Sequence, residues 1–126
     1  MNNTTILRWF ALSRVALGLW LSVAPDKPGE IWFGSAKHPA STRMLLRSVG
    51  ARDVGLGLGL AANPRPASLW LRAGILADIV DTTAAVLVRH EVPKRNFFTG
   101  FIGALAYAVI GLAIALRAVS TGDSDR

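Results

Sequence analysis

The sequence contains no cysteine, only two histidines and a small share of charged residues. The missing cysteine excludes thiol catalysis, disulfide frameworks and zinc sites with cysteine ligands. His38 and His90 are too few to form a metal site from histidine alone, so we expect no metal ion. Charged residues make up 17% of the chain, whereas a soluble domain usually carries about 25%. The chain therefore lacks the residues for thiol catalysis and for metal sites built from cysteine or from histidine alone.

Apolar residues are abundant: they make up 52% of the 126 residues, and this length fits one domain. A disordered chain would combine low hydrophobicity with high net charge, so disorder is not expected. The net charge of +6 suggests nucleic acid or an anionic membrane surface as a partner. The basic residues are scattered between apolar stretches and form no recognisable binding motif, so we expect no nucleic-acid partner.

Four long apolar segments fill the chain. The clearest covers residues 96–116, which hold no charged residue, and a transmembrane helix needs about 20 apolar residues. The other three segments contain isolated charges, and each ends near prolines, which stop helices. The pattern predicts an all-α fold, a four-transmembrane-helix bundle that forms one domain over residues 1–119. Its helices are expected at about 6–24, 44–62, 69–89 and 97–117, followed by a polar tail at 120–126.

The aromatic residues and the first segment agree with a membrane location. Trp9, Trp20 and Trp70 fall near predicted helix ends, where amphipathic rings favour the headgroup level. Trp32 lies in the longest loop, which we expect on the membrane surface or dipping into it. Arg14 interrupts the first apolar run, so we interpret that segment as a retained helix and not as a cleaved signal peptide. The expected location is a bacterial cytoplasmic membrane, crossed several times in an undetermined orientation; a soluble fold is the alternative.

Small residues recur at a spacing typical of helix packing. Gly55 and Gly59 are four residues apart in the second predicted helix, and Gly100 and Ala104 repeat this spacing in the fourth. In lipid, close backbone approach through small residues drives helix association. The stretch GLGLG lacks the G-x-G-x-x-G spacing of a dinucleotide site, and no strand is evident before it. We interpret the glycines as packing surfaces, either within the chain or between chains.

Five ionisable residues lie near the middle of predicted helices. They are Arg14, Arg52, Asp53, Asp78 and Asp81. Each central charge costs about 2.5–3.5 kcal/mol, so five unpaired charges would cost on the order of 12–17 kcal/mol. We therefore expect Arg14 to pair with Asp53, and Arg52 to pair with Asp78 or Asp81. Arg52 and Asp53 are neighbours on a helix, about 100° apart around its axis, so we expect them to point in different directions.

Three carboxyl groups against two guanidinium groups leave one carboxyl without a full partner. In a low dielectric beside another carboxylate, such a group tends to keep its proton, and a neutral acid beside an ionised one suits acid–base catalysis. The catalytic candidates are Asp53, Asp78, Asp81 and Arg52. The substrate-binding candidates are Arg14, Tyr107, which would donate a hydrogen bond into the same pocket, and Trp32. Buried ion pairs that only fix helix register are the structural alternative.

The sequence also resembles a family of small, uncharacterised four-helix membrane proteins, and more distantly the DoxX-like proteins. The resemblance spans nearly the whole chain, and its specific part is short. It consists of G-x-R-D at residues 50–53, followed by GLGLGLA, and D-x-x-D at residues 78–81, together with the L-x-x-x-P end of the first helix and a W-F-G loop. The resemblance implies a four-helix integral membrane fold and no particular reaction.

Three functions remain open. The first is a membrane enzyme that uses acid–base chemistry without a cofactor to open an epoxide, isomerise or cyclise a lipophilic substrate such as an isoprenoid or a quinone. The second is a non-catalytic accessory subunit of a larger membrane complex, which docks through its small residues. The third is a transporter or proton-relay component, which would require an oligomer because four helices form only a small pore. The expected partners are the lipid bilayer, a lipophilic small molecule, and further copies or subunits.

Overall fold

The chain folds into five α-helices over residues 2–120, the part that this computed structural model describes. They are α1 (Asn3–Val23), α2 (Asp26–Phe33), α3 (Ala40–Ala62), α4 (Leu69–Leu87) and α5 (Lys94–Ser120). The described residues contain no strand, which confirms the all-helical prediction. The predicted tail at 120–126 lies outside the described residues except for Ser120, which ends α5.

Two of the five helices, Asn3–Val23 and Lys94–Ser120, are long and apolar enough to cross a membrane by length and composition. α3 and α4 do not meet the same test, because each carries several charged residues within its apolar sequence. Core helices of soluble proteins can also pass this test. Two helices thus agree with the prediction of membrane-spanning helices by length and composition. The bundle of four transmembrane helices remains a prediction.

The prediction of a loop around Trp32 is wrong, because residues 26–33 form the short helix α2. Pro28 does not stop a helix but stands in the first turn of α2. Proline is tolerated there because the N–H groups of a first turn have no acceptor within the helix, so the missing N–H of proline costs no hydrogen bond. Gly34 ends the helix with a left-handed φ of 77°, and its N–H donates to the carbonyl oxygen of Glu30 at 2.9 Å. The side-chain amide of Asn96 in α5 donates to the carbonyl oxygen of Ile31 at 2.8 Å, which ties α2 to the bundle.

α1 and α3 run antiparallel and form the closest helix pair. A Cβ atom on Gly50 would lie 2.5 Å from the carbonyl oxygen of Gly18, and one on Gly57 would lie 2.7 Å from that of Ala11. The predicted packing face of Gly55 and Gly59 is therefore not the one used against α1. Gly55 faces open space, whereas Gly59 contacts the Trp70 ring of α4.

α4 and α5 form the second antiparallel pair, in which Gly111 of α5 lies against Ile75 of α4. The α1–α3 pair packs against the α4–α5 pair along an interface that is here called the seam. One half of the seam is apolar. Its buried residues are Leu7, Ala11, Leu60 and Leu71, with Phe10, Ala61, Ile75, Ile114 and Ala115 packed around them. The middle of the seam is occupied by charged side chains instead.

We predict that Gly50→Ala lowers stability by about 1–3 kcal/mol, because the added methyl group overpacks the contact with the α1 backbone. Gly55→Ala is the matched control in the same helix, since its methyl group meets nothing within 4 Å. It should leave stability unchanged or raise it by up to about 1 kcal/mol through helix propensity. Thermal unfolding of the purified proteins by circular dichroism compares the two, and equal midpoints would contradict the close α1–α3 contact.

Candidate functional site

The charged side chains in the middle of the seam form one chain of alternating sign, here called the Arg/Asp network. Its order is Asp78, Arg14, Asp53, Arg52 and Asp81. Arg14 donates through Nη2 to Asp78 and through Nη1 to Oδ1 of Asp53 at 3.4 Å. Arg52 donates through Nε and Nη2 to the same Asp53 oxygen, at 3.1 and 3.0 Å. Its Nη1 and Nη2 atoms contact the two oxygens of Asp81 at 3.0 and 2.6 Å.

Most of the expected pairing is present. Arg14 pairs with Asp53, and Arg52 pairs with Asp81. As expected, Arg52 and Asp53 face different helices, because Asp53 contacts Arg14 of α1 whereas Arg52 reaches Asp81 of α4. The Arg52 guanidinium also donates to its neighbour Asp53. Asp53 consequently bridges both guanidinium groups, and the five residues form one continuous network.

The network has a buried end and an open end. Arg14, Asp53 and Asp78 are each no more than 5% exposed. At the other end, the side chains of Arg52 and Asp81 are 31% and 32% exposed. Asp81 is therefore the carboxylate of this network that a molecule outside the bundle reaches most easily.

Aromatic rings hold the buried guanidinium of Arg14 in place. Its Cζ atom lies 4.9 Å from the centre of the Tyr107 ring and 5.8 Å from that of Phe10. The Tyr107 hydroxyl donates to Oγ of Ser13 at 2.9 Å, so its predicted hydrogen bond into the charged pocket is not formed. Tyr107 instead contributes a cation–π contact, which strengthens as the cation is desolvated.

Of the predicted site residues, Trp32 lies away from the network. Its ring packs near Gly100 of α5 at the end of the bundle. Gly100 precedes Tyr107 by seven residues, or about 10 Å along the helix axis. Phe10 and Gly74 were missed, although Phe10 stands one turn before Arg14 and Gly74 one turn before Asp78. That i, i+4 spacing was the available sequence signal.

The network carries one more carboxylate than guanidinium groups, so its net charge is −1 when every group is ionised. Within residues 2–120, Oδ2 of Asp53 and Oδ1 of Asp78 accept no hydrogen bond. A proton taken up by a carboxylate would neutralise the network without breaking its order. No group of three or more His, Cys, Asp or Glu side chains in the described chain could hold a metal ion.

A scan of family models, a search of curated proteins and a search of solved structures each find no match to this chain. The two short motifs behind the resemblance nevertheless meet in one place. G-x-R-D supplies Arg52 and Asp53 from α3, and D-x-x-D supplies Asp78 and Asp81 from α4. The family assignment itself stays a prediction.

We predict that Arg14→Met lowers stability by about 3–5 kcal/mol, because it leaves buried carboxylates without their partner. Arg8→Met is the matched control, since Arg8 is exposed on the same helix and should cost little. Adding Asp78→Asn to Arg14→Met should recover part of the loss by removing the unpaired charge. Denaturant unfolding measures all three, and equal stability of the two single variants would contradict the buried network.

Proposed function

We propose that the chain is an integral membrane protein in which α1, α3, α4 and α5 all cross the bilayer. The outward surface of α5 supports this, because only 11% of its most apolar window is buried inside the molecule. A core helix of a soluble protein would be mostly buried. Large side chains such as Ile102, Val109 and Leu116 are about half exposed or more, which suits lipid contact and not water.

The depth of the network agrees with this location. Asp78 lies nine residues from both Leu69 and Leu87, the ends of α4. At 1.5 Å per residue, about 14 Å of helix extends on each side, which together matches the roughly 30 Å of hydrocarbon in a bilayer. The network residues of α3 and α4 would lie near the midplane, where ion pairing of the kind seen in the network lowers the cost of burying charge in lipid.

Single-cysteine labelling tests the four spans, because the chain has no cysteine of its own. Ser35→Cys, Arg65→Cys and Glu91→Cys each place a thiol between two of the long helices. With four spans, an impermeant reagent should label positions 35 and 91 from one side of the membrane and position 65 from the other. With α1 and α5 alone spanning, all three would label from the same side. Release of the protein by carbonate washing would contradict any membrane span.

We further propose that the network performs acid–base chemistry, without a cofactor, on a lipophilic substrate that enters from the bilayer. The observation that carries this is the open end of the network, where Arg52 and Asp81 are accessible while the other three members are buried. Asp81 would exchange a proton with the substrate. Arg52 would hold both Asp81 and an oxygen of the substrate, and Asp53 would fix the position of Arg52.

The protons of this scheme balance between the network and the substrate, with one water molecule as co-reactant in epoxide opening. With one proton bound, Asp81 donates it to an epoxide oxygen, a carbonyl oxygen or a carbon–carbon double bond of the substrate. The network then receives a proton from a substrate carbon in an isomerisation or cyclisation, or from the attacking water in epoxide opening. Once Asp81 has given up the proton, Arg52 is placed to stabilise its carboxylate.

We predict that Asp81→Asn abolishes a change in lipid-soluble metabolites that wild type produces when expressed in a host. The amide has almost the same shape and lacks the titratable proton, so the loss should be at least about 100-fold. Asp26→Asn is the matched control, because Asp26 is an exposed carboxylate of α2. Mass spectrometry of lipid extracts at matched membrane abundance compares the three proteins.

The second candidate function is a non-catalytic accessory subunit. It is favoured by one observation: Arg14 is almost fully buried and bound to both helix pairs, so it serves architecture well. This function predicts identical metabolite profiles for wild type and Asp81→Asn. It also predicts co-purification of a larger complex that Asp81→Asn weakens.

A further inference from the structure

A shallow groove of about 450 Å³ runs along the N-terminal half of α3, away from the Arg/Asp network. It is here called the basic groove, and its lining residues are Ala40, Arg43, Met44, Arg47, Ser48 and Ala51. Their spacing of three or four residues places all six on one face of the helix. Two guanidinium groups one turn apart give this face its charge.

Neither guanidinium of the basic groove is neutralised by the part of the protein that the structure describes. Within residues 2–120, the side chains of Arg43 and Arg47 make no ion pair and donate no hydrogen bond. Both residues are exposed. An unpartnered pair of arginines one helical turn apart is a suitable site for a phosphate, which accepts several charge-assisted hydrogen bonds.

The same end of the bundle is basic around the groove. The C-terminus of α1, the N-terminus of α3, the C-terminus of α4 and the N-terminus of α5 meet there. The connections at this end carry five further basic residues and three carboxylates, which leaves an excess of positive charge: Lys27, Lys37, Arg89, Lys94 and Arg95 against Asp26, Glu30 and Glu91. Lys27 is paired with Glu30. The positive potential at this end favours the anionic headgroup of a lipid over a neutral ligand.

The depth of the groove depends on the membrane location proposed above. Arg43 precedes Asp53 by ten residues, or about 15 Å, which is half the hydrocarbon thickness. Arg47 lies one turn deeper, but helical side chains lean towards the N-terminus and arginines extend to the interface. Both guanidinium groups would therefore reach the level of the lipid phosphates.

Apolar surface continues from the groove along α3. Met44 and Leu45 are 68% and 64% exposed, beside the two arginines. Ala51 and Gly55 then leave a shallow, open helix surface towards the midplane. A free phosphate would use none of this surface, whereas the acyl chains of a lipid would cover it.

We propose that the basic groove binds an anionic phospholipid, with its phosphate held by Arg43 and Arg47 and its acyl chains along α3. The site is separate from the open end of the Arg/Asp network. Its role is to fix the depth of α3, and with it the position of Arg52 and Asp53.

Native mass spectrometry of the full chain in detergent tests the site, with phosphatidylglycerol as the probe and phosphatidylcholine as competitor. The double variant Arg43→Gln/Arg47→Gln should bind phosphatidylglycerol at least about 10-fold more weakly, because it removes the charge-assisted hydrogen bonds of two guanidinium groups to the phosphate. Arg65→Gln/Arg72→Gln is the matched control, since it removes two exposed arginines from the opposite end of the bundle. This control should bind like wild type.

Three results would overturn the lipid site. They are equal weakening by both double variants, equal binding of the two lipids by wild type, and complete displacement of phosphatidylglycerol by inorganic phosphate. Failure of the catalytic proposal can be told apart from failure of the lipid site. Asp81→Asn should bind phosphatidylglycerol as wild type does, whether or not it changes the metabolites. Failure of the membrane location would be seen separately, as release of wild type by carbonate.

Discussion

The structure depends on the contact of one buried arginine with the two helix pairs. α1 packs along α3, and α4 packs along α5, whereas the middle of the seam between the pairs is joined by Arg14. Its guanidinium binds a carboxylate of each pair and is enclosed by two aromatic rings. Because a buried charge without partners is very costly, these contacts fix both the distance and the register of the two pairs.

The glycine contact between α1 and α3 sets the depth of that arginine. Gly18 and Gly50 bring the two backbones so close that no side chain fits between them. An antiparallel pair held at this point and again at Gly57 cannot slide, so Arg14 stays level with Asp53. Backbone packing in one pair thereby positions the charged groups that hold the other pair.

Much of this arrangement could be predicted from the sequence, because unpaired charges in apolar helices allow few solutions. The motifs G-x-R-D and D-x-x-D contain four of the five charged residues of the network. The cost of burying unpaired charges predicted the pairs Arg14–Asp53 and Arg52–Asp81. The helix α2 was missed because its prolines serve equally as stop signals and as residues of a first turn. The choice of Gly50 and Gly57 over Gly55 depends on how α3 is rotated against α1, which spacing alone does not determine.

Charge balance accounts for four of the five charged residues and leaves one carboxylate in surplus. Asp78 with Arg14, and Asp53 with Arg52, would already form two neutral pairs. Arg14 alone joins α1 to Asp53 of α3 and to Asp78 of α4. Asp81 adds a negative charge that these pairs do not need, and it stands at the end of the network that is about a third exposed. Asp81 also ties α3 to α4 through Arg52, but no third guanidinium balances its charge. This surplus charge at an accessible position is the physical reason to assign the proposed acid–base chemistry to Asp81 and the architecture to Arg14.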